Sequence, residues 1–211
     1  MLLGKGDLGV RVAEWFQGQE EWQLAHVVPV VPEPTWTTSL SDWADENGVP
    51  LVESGHWADL SHEPGRPLAD LAVSVFYDRI LPAEFIARFG RALNIHNGPL
   101  PRYRGVSPIN WALKNGERSH GVTIHEISPG IDDGPIVAQV NYSVYPEHDE
   151  VEDVYGRALA YGWTLFEQTM PMLDKIEAVP QDDARATYYS AGDNDRLGDR
   201  RSFTRELSEA R

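Results

Sequence analysis

Short apolar runs of strand length alternate along the chain with amphipathic stretches of helical spacing. Runs rich in β-branched residues and bounded by Gly or Pro predict strands at 1–3, 24–31, 50–53, 71–76, the residues leading into Asn94, 121–127 and 135–145. Apolar residues three and four apart, together with capping and proline signals, predict helices at 8–16, 39–47, after Pro82, and at 107–114 and 149–176. In the 107–114 helix, Ser107 is the expected cap and Pro108 the first residue.

This order of elements favours an α/β fold, because strands that alternate with helices build a doubly wound, mostly parallel sheet. The predicted strands at 121–127 and 135–145 are joined by the short turn SPGIDDG, so an antiparallel member is expected in this pair. We predict a Rossmann-like catalytic domain over residues 1–178 that closes with a long helix. A polar C-terminal extension over residues 179–211 follows it.

The composition narrows the possible partners and compartment. A chain of 211 residues can bury one core, and its 33 acidic against 18 basic residues give a net charge of -15. This charge repels a phosphate backbone, so no nucleic-acid partner is predicted. The chain has no cysteine, which excludes disulfides, thiolate metal sites and a Cys nucleophile and fits a reducing cytosol. No apolar run reaches membrane length, so we predict a cytoplasmic protein without membrane contact.

Two further features carry weaker signals. Lys5 and Gly6 precede a predicted helix whose free amides would attract an anion, which makes both residues candidate substrate contacts. A plain strand-to-helix connection explains the same residues equally well. His56 and His62 lie in a polar loop without a third ligand at metal-like spacing, and no metal site is predicted.

A polar pair, Asn94 and His96, ends one apolar strand just before Gly98 and Pro99 stop it. Residues two apart in a strand project from the same face, so both side chains should point the same way at the strand end. Open α/β sheets bind their ligands at that edge. An amide donor beside an imidazole suits acyl transfer, although such a pair at a strand end is also a common structural cap.

A carboxylate from the Asp132–Asp133 turn would lie near this pair. With it, three segments resemble the folate-dependent formyltransferases over about residues 72–139: NIH at 94–96, PLPRYRG at 99–105 and GVTIHEISPGIDDGPIVAQ at 121–139. The resemblance implies catalytic roles for Asn94, His96 and Asp132. Asp133 stands where the family often has threonine or glycine, which leaves open whether it shares the role of Asp132.

The same resemblance implies a formyl donor, 10-formyltetrahydrofolate, and no metal. Its pterin would be bound by a loop after an earlier strand and by the turn before the catalytic aspartate. The implied contacts are Tyr77, Arg79, Ile80, Leu81, Ser128, Gly130 and Ile131.

The chemistry explains why such residues are needed. An amine that attacks a formyl carbon creates an oxyanion and a positive nitrogen, so the site must donate hydrogen bonds and remove a proton. Asn94 suits the oxyanion because it is an uncharged donor. His96 can donate when protonated, and Asp132 would favour that form, orient the ring and receive the amine's proton directly or through water. His125 is interpreted only as a strand histidine.

The resemblance also narrows the range of molecules that could accept the formyl group. Family members that formylate methionyl-tRNA carry a further C-terminal β-barrel domain of about 100 residues, whereas only residues 177–211 follow the long helix here. SPINWALKNGE at 107–117, YYS at 188–190 and LGDRRSFTR at 197–205 resemble the sugar N-formyltransferases, which act on nucleotide-linked 4-amino-4,6-dideoxysugars. A diphosphate would be bound by local cations. Expected substrate contacts are Lys5, Gly6, Arg102, Arg104 and Trp111, and the Arg200–Arg201 pair offers two further cations. Two alternatives stay open, because Trp111 also fits the core side of the 107–114 helix and each cation also fits a solvated surface.

Several alternatives stay open. The chain could formylate glycinamide ribonucleotide, hydrolyse the folate to release formate, or be a catalytically idle folate- or nucleotide-binding module. The sequence does not identify the sugar or the nucleotide. It also does not determine the oligomeric state, for which a homodimer is one option. The first strand is shorter than the family's usual start, so either the true start lies upstream or the strand edge is trimmed.

Overall fold

The computed structural model describes residues 1–60 and 66–198. Its strands are β1 (Leu2–Gly4), β2 (Val27–Pro29), β3 (Ala69–Val75), β4 (Phe89–His96), β5 (Arg104–Gly105), β6 (Ser119–Glu126), β7 (Ile136–Ser143) and β8 (Tyr188–Tyr189). Its α-helices are α1 (Gly6–Gln17), α2 (Leu40–Glu46), α3 (Ala83–Ile86), α4 (Pro108–Lys114) and α5 (Val151–Thr169). Short 3-10 helices lie at Trp57–Asp59, Met170–Lys175, Asp183–Arg185 and Ala191–Arg196.

Six strands form the main sheet in the order β2-β1-β3-β4-β6-β7. Strands β2, β1, β3 and β4 pair in parallel, whereas β6 runs antiparallel to both β4 and β7. The predicted mostly parallel α/β sheet is therefore confirmed. The antiparallel strand expected within the pair at 121–127 and 135–145, now β6 and β7, is confirmed as well. Because β6 runs antiparallel to β4, its direction determines which of its residues lie beside Asn94 and His96 of β4.

Helices cover both faces of this sheet, and neighbouring residues of β1 contribute to different cores. Leu2 belongs to the larger core, which includes buried residues of α1, α2, α4 and α5. Leu3 belongs to the smaller core on the opposite face, with Phe85 of α3. This division follows from the period-two alternation of strand side chains. Both faces of the parallel strands are consequently buried, as their near-continuous apolar sequence predicts.

Three predicted strand and helix boundaries differ from the structure. The strand expected at 24–31 is reduced to Val27–Pro29, and its last residue, Pro29, has no N–H to donate to a ladder. The strand expected at 50–53 is only an isolated bridge between Leu51 and Val27. The helix expected at 149–176 ends at Thr169 and continues as a 3-10 helix that contains Pro171 near its start.

The two predicted serine caps have different outcomes. Ser39 caps α2 as expected, because its hydroxyl accepts a hydrogen bond from the Asp42 amide at 3.0 Å. Ser107 does occupy the position before α4, but the prediction that its side chain caps the helix is wrong. Its φ of 54° is left-handed and its side chain makes no capping hydrogen bond.

Within residues 1–60 and 66–198, no helix has the length and apolarity required to cross a membrane.

Close contact between α5 and the sheet depends on Gly162, which is buried on the helix face that meets β6. A methyl group placed on Gly162 would lie 3.3 Å from Leu8 Cδ2 and 3.5 Å from Val122 Cγ1. Gly156 lies one and a half turns earlier on the same helix and has nothing within 4 Å of such a methyl group. The two glycines therefore provide a matched pair for testing the packing.

Gly162→Val should lower the free energy of unfolding by about 1–3 kcal/mol, because its branched side chain overfills the space between α5 and the sheet. Gly156→Ala should raise it by about 0.5–1 kcal/mol through improved helix propensity. Urea denaturation followed by circular dichroism measures both. Equal effects of the same sign would contradict this packing of α5.

Candidate active site

The Asn94 and His96 side chains share one face at the carboxyl end of β4. The antiparallel register places Asn94 directly opposite His125 of β6 and places His96 opposite Thr123. On the other side, Ser74 of β3 pairs with Asn94 in parallel. Side chains of directly paired residues project from the same face of a sheet. Polar groups from three adjacent strands therefore converge at this strand end.

Asp132 lies in the turn between β6 and β7, and its carboxylate reaches back over the strand ends. Its Oδ1 is 3.3 Å from Asn94 Nδ2, which donates to it, and 3.4 Å from His125 Nε2. Its Oδ2 is 3.4 Å from His96 Nδ1 and accepts the Gly105 amide at 2.9 Å. The predicted trio of Asn94, His96 and Asp132 is thus brought together in the structure.

Backbone carbonyls orient both histidine rings. Nε2 of His96 donates to the Tyr103 carbonyl at 2.7 Å, and Nδ1 of His125 donates to the Glu126 carbonyl at 2.9 Å. A carbonyl oxygen can only accept, so each of these nitrogens carries a proton. The second nitrogen of each ring is the one that faces Asp132.

The charges of the His96–Asp132 pair follow from burial and from each other. Burial lowers the pKa of His96, and the opposing charge of Asp132 does not restore it. Burial alone would raise the pKa of Asp132, but the positive charge that His96 and His125 carry when they are protonated, together with the Gly105 amide, holds it well below its usual range. The resting pair is therefore an ionised carboxylate beside a neutral imidazole. The Nδ1 lone pair of that imidazole faces the carboxylate, so the pair can accept one proton.

Asp133 points away from this cluster. Its exposed side chain accepts a hydrogen bond from the Ser128 hydroxyl within the same turn. Asp132, which is in register with the sequence motif, is the carboxylate that contacts the histidines.

A cavity of about 430 Å³ opens beside Asn94 and Asp132. Ile80 and Ile131 line it although they are 68% and 39% exposed, so it retains apolar surface that a ligand would cover. The walls include every predicted pterin contact, namely Tyr77, Arg79, Ile80, Leu81, Ser128, Gly130 and Ile131. Tyr188 of β8 and Ala191 complete one side.

Five of the predicted substrate contacts lie in the described part of the chain, and none of these five lines this cavity. Lys5 and Gly6 form the turn into α1. There the Asp7 amide donates to Thr37 Oγ1 at 3.1 Å and the Asp7 carboxylate accepts the Thr38 amide at 3.0 Å. The Asp7 amide at the helix start is therefore occupied, and the negative charge of the Asp7 carboxylate lies beside it. Anion binding at this turn stays a prediction.

The other three predicted contacts are engaged within the protein. Arg102 forms an ion pair with Glu117 at 2.9 Å, and Arg104 is bound by residues of the C-terminal segment. Trp111 is 2% exposed and stacks on Tyr189 with ring centroids 4.2 Å apart. A direct contact of buried Trp111 with a ligand is not supported by this packing. The Arg200–Arg201 pair, His62 and most of LGDRRSFTR lie outside the described residues.

Three residues of the site escaped the sequence analysis: His125, Gly105 and Gln181. His125 was interpreted as a strand histidine, yet its ring contacts both Asn94 and Asp132, with Nε2 3.2 Å from Asn94 Nδ2. The alternation of GVTIHEI places His125 on the same face as Thr123. Only the pairing of β6 with β4 reveals that this face adjoins Asn94 and His96.

Comparisons with known proteins show the family to which the chain belongs. The formyl transferase family model matches residues 56–169, which is more than half of the chain. The methionyl-tRNA formyltransferase of Deinococcus radiodurans is 38% identical over 151 residues, covering 69% of this chain and 46% of the relative. The chain spans less than half the length of the curated relatives it matches.

Two solved structures are also similar. The N-formyltransferase from Helicobacter canadensis, in complex with folinic acid and dTDP-3-aminofucose, has a TM-score of 0.78 at 25% identity, over 91% of this chain and 70% of that one. PseJ from Anoxybacillus kamchatkensis, in complex with UDP-4,6-dideoxy-4-formamido-L-AltNAc and tetrahydrofolate, has a TM-score of 0.60 at 28% identity, over 78% and 85%. Because the family model matches more than half of its residues, the chain belongs to the formyl transferase family.

Proposed function

We propose that the chain transfers the formyl group of 10-formyltetrahydrofolate to the amine of a nucleotide-linked amino sugar. The observation that supports this most is the placement of Asn94 and the Asp132 carboxylate on the wall of a cavity of about 430 Å³. This volume falls within the range of about 300–1,000 Å³ that is usual for small-molecule sites.

The cavity fits a flat, partly polar donor. Loop residues 77–81 form one wall and the turn 128–131 forms another, so a pterin ring would lie between two backbone segments. Ile127 and Leu81 supply apolar surface next to the polar edge made by Asn94 and Asp132. When bound there, the donor supplies an activated formyl carbon.

The His96–Asp132 pair would act as the base. An attacking amine becomes positively charged and must lose a proton. Asp132 lines the cavity and can receive this proton directly or through a water molecule. Nδ1 of His96, 3.4 Å from Oδ2, then takes this proton from the carboxyl, because the pKa of Asp132 is held well below its usual range. His96, 6% exposed, acts through Asp132 and not on the substrate.

Asn94 would stabilise the developing negative oxygen. Its amide nitrogen is directed at His125 Nε2 at 3.2 Å and at Asp132 Oδ1 at 3.3 Å, both long hydrogen bonds. When Asp132 takes up a proton, its attraction for the Asn94 amide falls. At the same time an oxyanion forms in the cavity, so the Asn94 N–H can follow the negative charge from one oxygen to the other.

The acceptor assignment combines charge with the solved relatives. Both structures compared above hold sugar nucleotides beside a folate, and a net charge of -15 opposes a polyanionic tRNA. The curated relatives, in contrast, are methionyl-tRNA formyltransferases. Methionyl-tRNA is therefore the second candidate acceptor.

Loss of any member of the trio should abolish catalysis without unfolding the chain. Asn94→Ala, His96→Ala and Asp132→Asn should each reduce the turnover rate by about 10²–10⁴-fold in a formyl transfer assay. Asp133→Asn is the matched control and should remain near wild type, because its side chain faces Ser128. Near-normal turnover in any two of the trio variants would refute the assignment.

A panel of acceptors tests the substrate class. The protein is incubated with 10-formyltetrahydrofolate and, in turn, dTDP- or UDP-linked amino sugars, glycinamide ribonucleotide and methionyl-tRNA, and mass spectrometry follows the gain of a formyl group. We expect product only with the nucleotide-linked sugars. Formylation of glycinamide ribonucleotide or methionyl-tRNA alone would overturn the acceptor. Formate release at equal rates with and without acceptor would instead identify a hydrolase, and donor binding without turnover an idle module.

A further inference from the structure

The chain returns to the site after α5, where β8 pairs in parallel with β5. The amides of Arg104 and Val106 donate to the carbonyls of Thr187 and Tyr189, each at 2.9 Å. Successive N–H groups of a strand point in opposite directions. The intervening Gly105 amide therefore points away from β8 and donates to Asp132 Oδ2 at 2.9 Å. Residues 187–189 thus fix the donor that holds the catalytic carboxylate.

Gln181, in the same returning segment, uses all of its side-chain hydrogen-bonding groups on this region. Its Nε2 donates to the carbonyls of Asp132 at 2.8 Å and Gly134 at 2.7 Å. Its Oε1 accepts from Arg104 Nε at 3.0 Å and Nη2 at 2.8 Å. One side chain therefore ties the Asp132 turn to the strand that carries Gly105.

Asp132 needs such support because its φ is 51°, a left-handed conformation that residues other than glycine seldom adopt. The backbone carbonyl of Asp132 accepts a hydrogen bond from Gln181 Nε2, and the side-chain carboxylate of Asp132 accepts one from the Gly105 amide. Arg104 is held by Gln181 and by Asp183 at 2.7 Å, and its side chain is only 12% exposed. The link from Gln181 to Arg104, which we call the clamp, is therefore partly shielded from water, whereas Asp183 at its outer end is 83% exposed.

We propose that Gln181 is a positioning residue for formyl transfer: its link between the Asp132–Gly134 turn and Arg104 sets the Asp132 carboxylate against His96 and Gly105. This inference rests on the proposed function for its kinetic consequence. Gln181 does not line the cavity, so its effect passes through Asp132 and not through substrate contact. Residues 179–198, interpreted from the sequence as a polar extension, would then take part in building the site.

The test uses Gln181→Glu, which keeps the length of the side chain and its acceptors for Arg104 but removes the two hydrogens given to the carbonyls. We expect kcat to fall at least about 10-fold while KM for the donor changes less than about threefold, since Gln181 does not line the cavity and the side chains of the predicted pterin contacts are unchanged. The acidic limb of the pH–kcat profile should move to higher pH, because a carboxylate that loses the Gly105 amide protonates more readily.

Two further variants guard against trivial explanations. Gln168→Glu makes the same change at an exposed position of α5 and should behave as wild type. Arg104→Met breaks the clamp from its other end and should show the same fall in kcat, which keeps the test valid if Gln181→Glu folds poorly. A wild-type kcat and pH profile in Gln181→Glu would overturn the proposal.

A crystal structure of Gln181→Glu separates this inference from the proposed function. The Asp132 carboxylate should move away from the Gly105 amide, lengthening the 2.9 Å hydrogen bond. An unchanged Gly105 N to Asp132 Oδ2 distance would refute the positioning role whatever reaction the chain catalyses. Absence of formyl transfer from the wild type, combined with the expected movement, would refute the proposed function alone.

Discussion

The carboxylate of Asp132, whose side chain is only 14% exposed, determines how the surrounding structure is arranged. Removing an ionised carboxylate from water is strongly unfavourable unless hydrogen bonds and charges replace the solvent. Here the Gly105 and Asn94 amides donate hydrogen bonds to the two carboxylate oxygens, and the rings of His96 and His125 pack beside it. These groups come from three different parts of the chain, so the charge can be accommodated only when the sheet and its loops are assembled.

The direction of β6 is the feature of the fold that makes this assembly possible. Parallel strands bring Ser74 and Asn94 to one edge of the sheet. Because β6 runs in the opposite direction, it places His125 beside Asn94 and leads directly into the turn that carries Asp132. The returning segment with Gln181 then closes the arrangement from outside. The geometry of the proposed site thus depends on strand direction as much as on the residues of the motif.

Local patterns were sufficient to predict the parts of the site that depend on one segment. The spacing of Asn94 and His96 predicted that they share a face, and the family resemblance identified Asp132. The roles of His125 and Gln181 could not be predicted, because each depends on contacts between residues far apart in sequence. Their partners are set by the reversed pairing of β6 and by the course of the chain after α5.

Arg104 illustrates the same limit. Its charge suggested a diphosphate contact, but a guanidinium can serve equally well as an internal hydrogen-bond donor. In the structure it binds Gln181 and Asp183 and so belongs to the support of the site. Net charge similarly restricts the class of partner without locating any individual contact. Sequence chemistry therefore identified which residue types matter before it could tell which ones face the ligand.

The central claim is that the resting His96–Asp132 pair can accept one proton, and NMR of ¹⁵N-labelled histidine at neutral pH tests it most directly. The His96 signals are assigned by comparison with His96→Gln. We predict a neutral ring with the proton on Nε2, where it is donated to the Tyr103 carbonyl, and an unprotonated Nδ1. An imidazolium with both nitrogens protonated, or a neutral ring with its proton on Nδ1, would contradict this account of the base.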